Sequence, residues 1–333
     1  MSTAVVAALA GAAREAAHHD SAAIPAAGAG AEPACRACGR AEPVLADRDD
    51  GIVVRHGSAV AKAHDPATDL AGHRARLAVA GHPALAGILL PPLPEPLRAS
   101  EVPGRPVSVW PYGLPVDPAD PGAAPWEEAA VLLARLHSAD PAGLPGPLPP
   151  MRGPAKAAGA MRRMRAVAGE HPAAARVVER AWAGLPAWAR DEAPCPRAGF
   201  LCHGDLHLGQ LVRHPAPAGP WLLIDVDDLG LGDPAWDLAR PAAWYAAGLL
   251  SPDVWGRFLG AYTAARGPAV DPDGDPWARL DIPARALTVQ TAALSIAKAV
   301  AEQRETDEVD HAVMDACARI AALATELESG HPS

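Results

Sequence analysis

The chain has 333 residues, half of them apolar, enough to build two cores or one core in two lobes. Its formal net charge of −10 removes the basic footprint of a nucleic-acid binder, and no uninterrupted apolar run is long enough to span a membrane. The five scattered cysteines are an odd number and fit a reducing cytoplasm better than a disulfide framework.

The Ala-rich start lacks a basic segment before its apolar run, so no secretory signal is expected. Residues 3–18 read as a helix, and a low-complexity stretch from Ser21 to Pro33 follows. Cys35-Arg-Ala-Cys38-Gly is the one suggestive thiol pair. Zinc takes four ligands and no second such pair follows, so the reading favours structural thiols over a metal site. Residues 1–40 are therefore set apart as an N-terminal extension.

Strand patterns follow at Val44–Asp47, Ile52–Arg55 and Ala59–Ala63. Asp49-Asp50-Gly51 and His56-Gly57-Ser58 supply the turns between them, which gives a short antiparallel meander. A helix is expected from about Thr68 to Gly81, and a further strand at Pro106–Trp110. Residues 41–113 thus form a small sheet-rich lobe. Apolar residues at Ala129, Leu132, Leu133 and Leu136 have helical spacing, and helical patterns return over 156–189. Arg162, Arg163 and Arg165 read as a solvated helix face. Two short apolar strands lie at Gly199–Cys202 and Trp221–Ile224, where a hairpin would bring Asp205 and Asp225 to one mouth. Val309, Val313, Ala316, Cys317, Ile320, Leu323 and Leu327 predict a final amphipathic helix, and Glu302–Glu305 a solvated helical face before it. Residues 114–333 make a larger, mainly helical lobe, and the fold class is α+β.

The chemistry concentrates in Leu201-Cys202-His203-Gly204-Asp205-Leu206-His207-Leu208-Gly209-Gln210. An apolar strand breaks at Gly204 and leaves polar side chains at its end. A second strand ends at Asp225. Two carboxylates at one mouth suit magnesium-assisted phosphoryl transfer, one orienting a hydroxyl and one holding the metal.

This block resembles the HGDxHxxN motif of aminoglycoside phosphotransferases and the related sugar, choline and fructosamine kinases. Ile224-Asp225-Val226-Asp227-Asp228 and Gly232-Asp233-Pro234-Ala235-Trp236-Asp237 look like that family's second signature. The resemblance implies a bilobal protein-kinase-like fold using ATP and Mg2+, with ATP between the lobes and a small-molecule hydroxyl as acceptor. It makes Asp205 the catalytic base and Asp225, with Gln210, the metal ligands. His203, His207 and Asp237 become supports, Asp237 holding the catalytic loop's backbone from a helix start. Lys62 matches the lysine that contacts ATP phosphates, and Trp110 and Tyr112 fall in the segment expected to receive adenine. Asp227 and Asp228 are candidates for holding a cationic or polyhydroxylated acceptor: an amino sugar, a sugar or an aminoglycoside.

Three departures stand out. Gln210 replaces the usual Asn, a form that resembles maltokinases and bacterial glucosamine kinases. The helix after Lys62 has no Glu to orient that lysine, and Asp69 is its only acidic residue. No Gly-rich phosphate loop is present. These departures motivate one alternative, a non-catalytic nucleotide-binding relative. A second is a metallohydrolase built on His203, Asp205 and His207, weakened because no His occurs between His214 and His311.

Overall fold

The computed structural model describes residues 3–22, 38, 43–48, 51–94, 102 and 104–329. Cys35 and the Asp49-Asp50 pair of the first turn lie outside the described residues. The chain divides into two compact units, one of residues 1–116, 144–147 and 211–224, the other of 117–143, 148–210 and 225–333.

The first unit carries a four-stranded antiparallel sheet in the order β1-β2-β3-β4, formed by Val44–Arg48, Gly51–His56, Ala59–His64 and Val107–Pro111. Alternation fixes the register: Val54, Ala61 and Val109 share one buried face, while Lys62 stands half-buried opposite Val53 and Ser108. The turn into β3 opens at Gly57, whose φ of 56° is the left-handed conformation that such a tight connection demands. Helix α1, Thr3–Ala22, packs its Ala-rich face on β2 and β3, with Leu9, Ala12 and Ala13 fully buried against Val54, Ala59 and Ala61. Alanine lets the helix axis approach the strands closely and favours the helix itself. Within the stretch set apart as an extension, α1 thus supplies one side of this unit's core.

Helix α2, Leu70–Ala80, begins where Asp69 accepts hydrogen bonds from the N–H groups of Ala71 and Gly72. Asp69 is a helix cap. His64 in β3 bonds to the Ser108 hydroxyl at 2.7 Å and packs its ring on His73 of α2, joining helix to sheet. A second small sheet joins β5, Leu114–Pro115, to two strands from a later stretch of chain, β7 at Leu211–Arg213 and β8 at Trp221–Leu223.

Among its described residues, the second unit is built of helices and one two-stranded ladder, β6 at Phe200–Cys202 against β9 at Gly230–Gly232. The expected hairpin between 199–202 and 221–224 is therefore corrected: each strand pairs elsewhere. The unit's helices are α3 (Trp126–His137), which packs on β6, α4 (Gly153–Ala166), α5 (Pro172–Ala183), α6 (Ala235–Ala246), α7 (Pro252–Ala264), α8 (Trp277–Glu302) and α9 (Glu308–Ser329). Helices α4 and α6 pack on α8, α3 on α7, and α5 on α9. Leu132, Leu133 and Leu136 of α3 are buried as their spacing requires. In α9, Val313, Ala316 and Cys317 are buried, but Val309 at the first turn is 54% exposed. The predicted helical face at 302–305 is also corrected. Helix α8 ends at Glu302, Gln303 takes a left-handed φ of 51°, and Arg304 turns back to bind Asp310 at 2.6 Å. No described helix is long and apolar enough to cross a membrane.

Candidate active site

The site is organised by Asp237, in the first turn of α6 and 1% exposed. Its Oδ2 accepts the His203 N–H at 2.6 Å and its Oδ1 the Gly204 N–H at 2.7 Å. These amides belong to the chain just as it leaves β6, where ladder pairing ends at Cys202. Gly204 has a φ of +87°, and a Cβ there would collide with the backbone carbonyl of Asp228. Only glycine permits this turn, and the turn aims Asp205 away from the strand.

A third donor reaches Asp237 from α3. His137 Nε2 lies 2.9 Å from Oδ2, and His137 Nδ1 lies 2.8 Å from the Tyr262 hydroxyl. The Asp237 carboxylate can only accept, so the His137 proton facing it sits on Nε2, and Nδ1 of that tautomer accepts from the Tyr262 hydroxyl, which itself accepts the Ala269 N–H. Burial pushes the Tyr262 phenol up, which keeps it a donor. Burial alone would raise the Asp237 carboxyl, but the bond from His137 and the other facing donors outweigh it and hold Asp237 below the ordinary carboxylate range. A buried charge held by three donors is a rigid frame for the 203–205 turn.

Asp205 carries two cations. Arg240 Nη2 donates to Oδ1 at 2.7 Å while its Nε holds the Leu206 carbonyl at 3.1 Å. Lys156 Nζ lies 2.7 Å from Oδ2. Burial would raise this carboxyl, but Lys156 and then Arg240 outweigh it, so Asp205 stays ionised at neutral pH. Arg240 and Asp237 are three residues apart on one face of α6, so one helix fixes both the backbone and the side chain of this turn.

Lys156, from α4, also lies 2.6 Å from Asp228 Oδ2. Burial would lower its ammonium, but Asp228 and Asp205 outweigh it and keep it charged. Asp228 is 8% exposed, and Arg152 closes on its other oxygen at 3.5 Å. Of the two candidate acceptor ligands, Asp228 is thus engaged within the unit, while Asp227 stands half-buried on the same 226–228 turn.

Asp225 precedes that turn with a φ of 61°, an unusual conformation for a residue with a side chain. Gln210 Nε2 lies 3.5 Å from Asp225 Oδ2 and 3.1 Å from His207 Nε2. Burial takes the His207 imidazole down to about 4, so it is neutral at pH 7. The three-residue groups able to hold a metal among the described residues do not combine His203, Asp205 and His207, which removes the geometric basis of a metallohydrolase.

The nucleotide-side candidates lie in the first unit. Lys62 is on β3. Trp110 is on β4 and donates from its indole to the Ser108 hydroxyl at 2.9 Å. Tyr112 has its N–H on Ser58, its carbonyl 3.2 Å from His214 Nδ1, and its ring under the Arg55 guanidinium. The Tyr112 N–H is thus engaged within the unit, while its carbonyl, with two lone pairs, keeps room for a second donor beside His214. Sequence reading missed Arg240, Lys156, His137 and Tyr262. Only Arg240 carried a signal, its place three residues after Asp237.

Several solved structures share the fold. A choline/ethanolamine kinase family protein from Mesorhizobium loti aligns over 93% of this chain and 94% of its own at a TM-score of 0.52 and 17% identity. A thermostable mutant of aminoglycoside phosphotransferase APH(4)-Ia aligns over 85% and 94% at 0.56 and 14%. Choline kinase from Cryptosporidium parvum aligns over 87% and 90% at 0.53 and 11%. No curated protein sequence matches the chain. Residues 49–283 match the family described as "Phosphotransferase enzyme family", a span that includes the 203–210 turn, Asp225, Asp237 and Arg240. The chain belongs to that family, and it is a phosphotransferase of the kind that acts on hydroxyl groups of small molecules.

Proposed function

We propose that the protein transfers the terminal phosphoryl group of ATP, with Mg2+, to a hydroxyl of a sugar or amino sugar. The observation that carries this reading is the turn at 203–205, held by Asp237 and presenting an ionised Asp205. A carboxylate has about four lone-pair positions. Arg240 and Lys156 each take one on separate oxygens, so Asp205 retains room to accept a substrate hydroxyl. A base held below its ordinary range takes the proton late, which suits the loose transition state of phosphoryl transfer, where positioning outweighs nucleophile activation.

Asp225 and Gln210 are hard oxygen donors of the type magnesium prefers. Gly209 donates its N–H to His207 Nδ1, which makes Nε2 the protonated nitrogen of that neutral ring. A half-turn of the Gln210 amide then offers Oε1 to His207 and to a cation beside Asp225, the two amide ends being interchangeable in shape. When bound, the metal supplies charge neutralisation for the phosphates. In this reading Lys62 contributes a phosphate contact from β3.

Lys156 narrows the acceptor. The carboxylates of Asp205 and Asp228 are matched by Lys156 and Arg240, so their surroundings are not the uncompensated acidic patch that a polycationic aminoglycoside requires. Neutral or singly charged polyols suit it better, in line with the Gln210 form. The test is turnover of the purified chain with MgATP against sugars, amino sugars and aminoglycosides, read as ADP release and acceptor phosphorylation. Turnover that survives magnesium chelation would overturn the metal role, and an aminoglycoside processed better than every sugar would overturn the acceptor class.

A further inference from the structure

Apart from the phosphotransferase machinery, a second group of chemically able side chains lies wholly within the first unit. His18 lies near the C-terminal end of α1, Cys38 sits on a turn after it, and His56 ends β2. Cys38 Sγ is 3.4 Å from His18 Nε2 and 3.8 Å from His56 Nε2. The three ligating atoms all lie within 4.8 Å of one another. His56 is 2% exposed, while His18 and Cys38 are open to solvent.

We propose that His18, Cys38 and His56 form a structural zinc site that ties α1 to the sheet. Tetrahedral zinc has bonds of about 2.3 Å to sulfur and about 2.0–2.1 Å to histidine nitrogen, which separates S and N ligands by about 3.5 Å. The two observed S–N separations bracket that value. One thiolate with two imidazoles is a soft-to-borderline donor set, which selects zinc over the hard magnesium ion of phosphoryl transfer. Binding releases the Cys38 thiol proton to solvent and leaves the histidines neutral. The tetrahedron is completed by water or by a further group of the chain. The Cys38 thiol lacks a second thiol pair, but a histidine from a helix and one from a strand face it. Such a site closes a long stretch of chain, from α1 to β2, onto a helix otherwise anchored by the packing of Val5, Leu9 and its alanines.

The experiment measures metal in the full chain expressed with zinc, by elemental analysis, followed by cobalt substitution. About one zinc per chain is expected, with a thiolate-to-cobalt charge-transfer band and the intense visible bands of tetrahedral cobalt. His18→Ala and Cys38→Ser alter exposed groups, so both variants should keep the wild-type circular dichroism. Each should bind zinc at least ~10-fold more weakly, since even an outer-shell partner is worth ~10–100-fold. Chelation of the wild type should lower its melting temperature and leave that of Cys38→Ser unchanged. A folded wild type that takes up no zinc or cobalt would overturn the proposal. So would His18→Ala and Cys38→Ser variants with undiminished zinc affinity.

Discussion

Replacing Asp237 with Asn changes one oxygen into an amide and removes a charge at a site that is 1% exposed. Three donors point at this carboxylate: the His203 and Gly204 N–H groups and His137 Nε2. An Asn side chain accepts through one oxygen only, so its NH2 must face at least one of the backbone donors. A hydrogen bond to a charged group contributes about 1.5–3 kcal/mol, and a buried donor left without an acceptor costs about 1–3 kcal/mol. The expected loss is therefore about 3–5 kcal/mol, within the range for breaking a buried charged pair. The sign with pH is also fixed. The folded-state carboxyl of Asp237 is depressed, so its contribution is present above the unfolded value near 3.8 and is lost as pH falls through the lower folded value. Urea unfolding of wild type and Asp237→Asn should differ by the full amount at pH 7 and converge at the acid end. Turnover should fall even where the variant is folded, because the 203–205 turn loses its hold. An Asp237→Asn protein with wild-type urea midpoint and turnover would refute the reasoning.

Other outcomes follow from the same contacts. Asp205→Asn should reduce turnover by ~10²–10⁴-fold with little change in acceptor KM, measured by ADP release, because it removes proton acceptance while preserving shape. Lys156→Met should lower the KM of a singly charged amino sugar relative to its neutral analogue by about 5-fold, the worth of ~1 kcal/mol from one partly exposed charge. It should also destabilise the chain by ~1–3 kcal/mol in urea, since Asp228 then keeps only the more distant Arg152. Leu9→Ala should cost ~2–5 kcal/mol in the same assay if α1 is an integral wall of the sheet's core, and close to nothing if the helix is dispensable.

Local chemistry made the centre of this site legible in the sequence, and long-range pairing hid its surroundings. The glycine at 204 and the carboxylates around it mark a turn whether or not the fold is known, and the four strands of the first sheet follow from alternation and turn residues. Lys156 leaves no such mark. Its neighbours Asp205 and Asp228 lie 49 and 72 positions away, and α4 reads as an ordinary polar helix. His137 and Tyr262 lie 125 positions apart, and only the fold sets them end to end behind Asp237.

The strand pairing shows how local preference decides where spacing alone does not. A 20-residue interval from Asp205 to Asp225 is compatible with a hairpin, but Leu211–Arg213 lies nearer to Trp221–Leu223 along the chain and closes a shorter loop at less entropic cost. That leaves Phe200–Cys202 to pair with Gly230–Gly232, whose glycines admit the close approach of Pro149 and Met151. The consequence is functional. Because β6 pairs with β9 rather than with β8, the Asp228 carbonyl comes to rest over Gly204, and the 225–228 turn is fastened to the 203–205 turn by backbone contact, by Lys156 and through Asp205. The two acidic signatures then act as one rigid body, which is what a phosphoryl-transfer site that works by positioning requires.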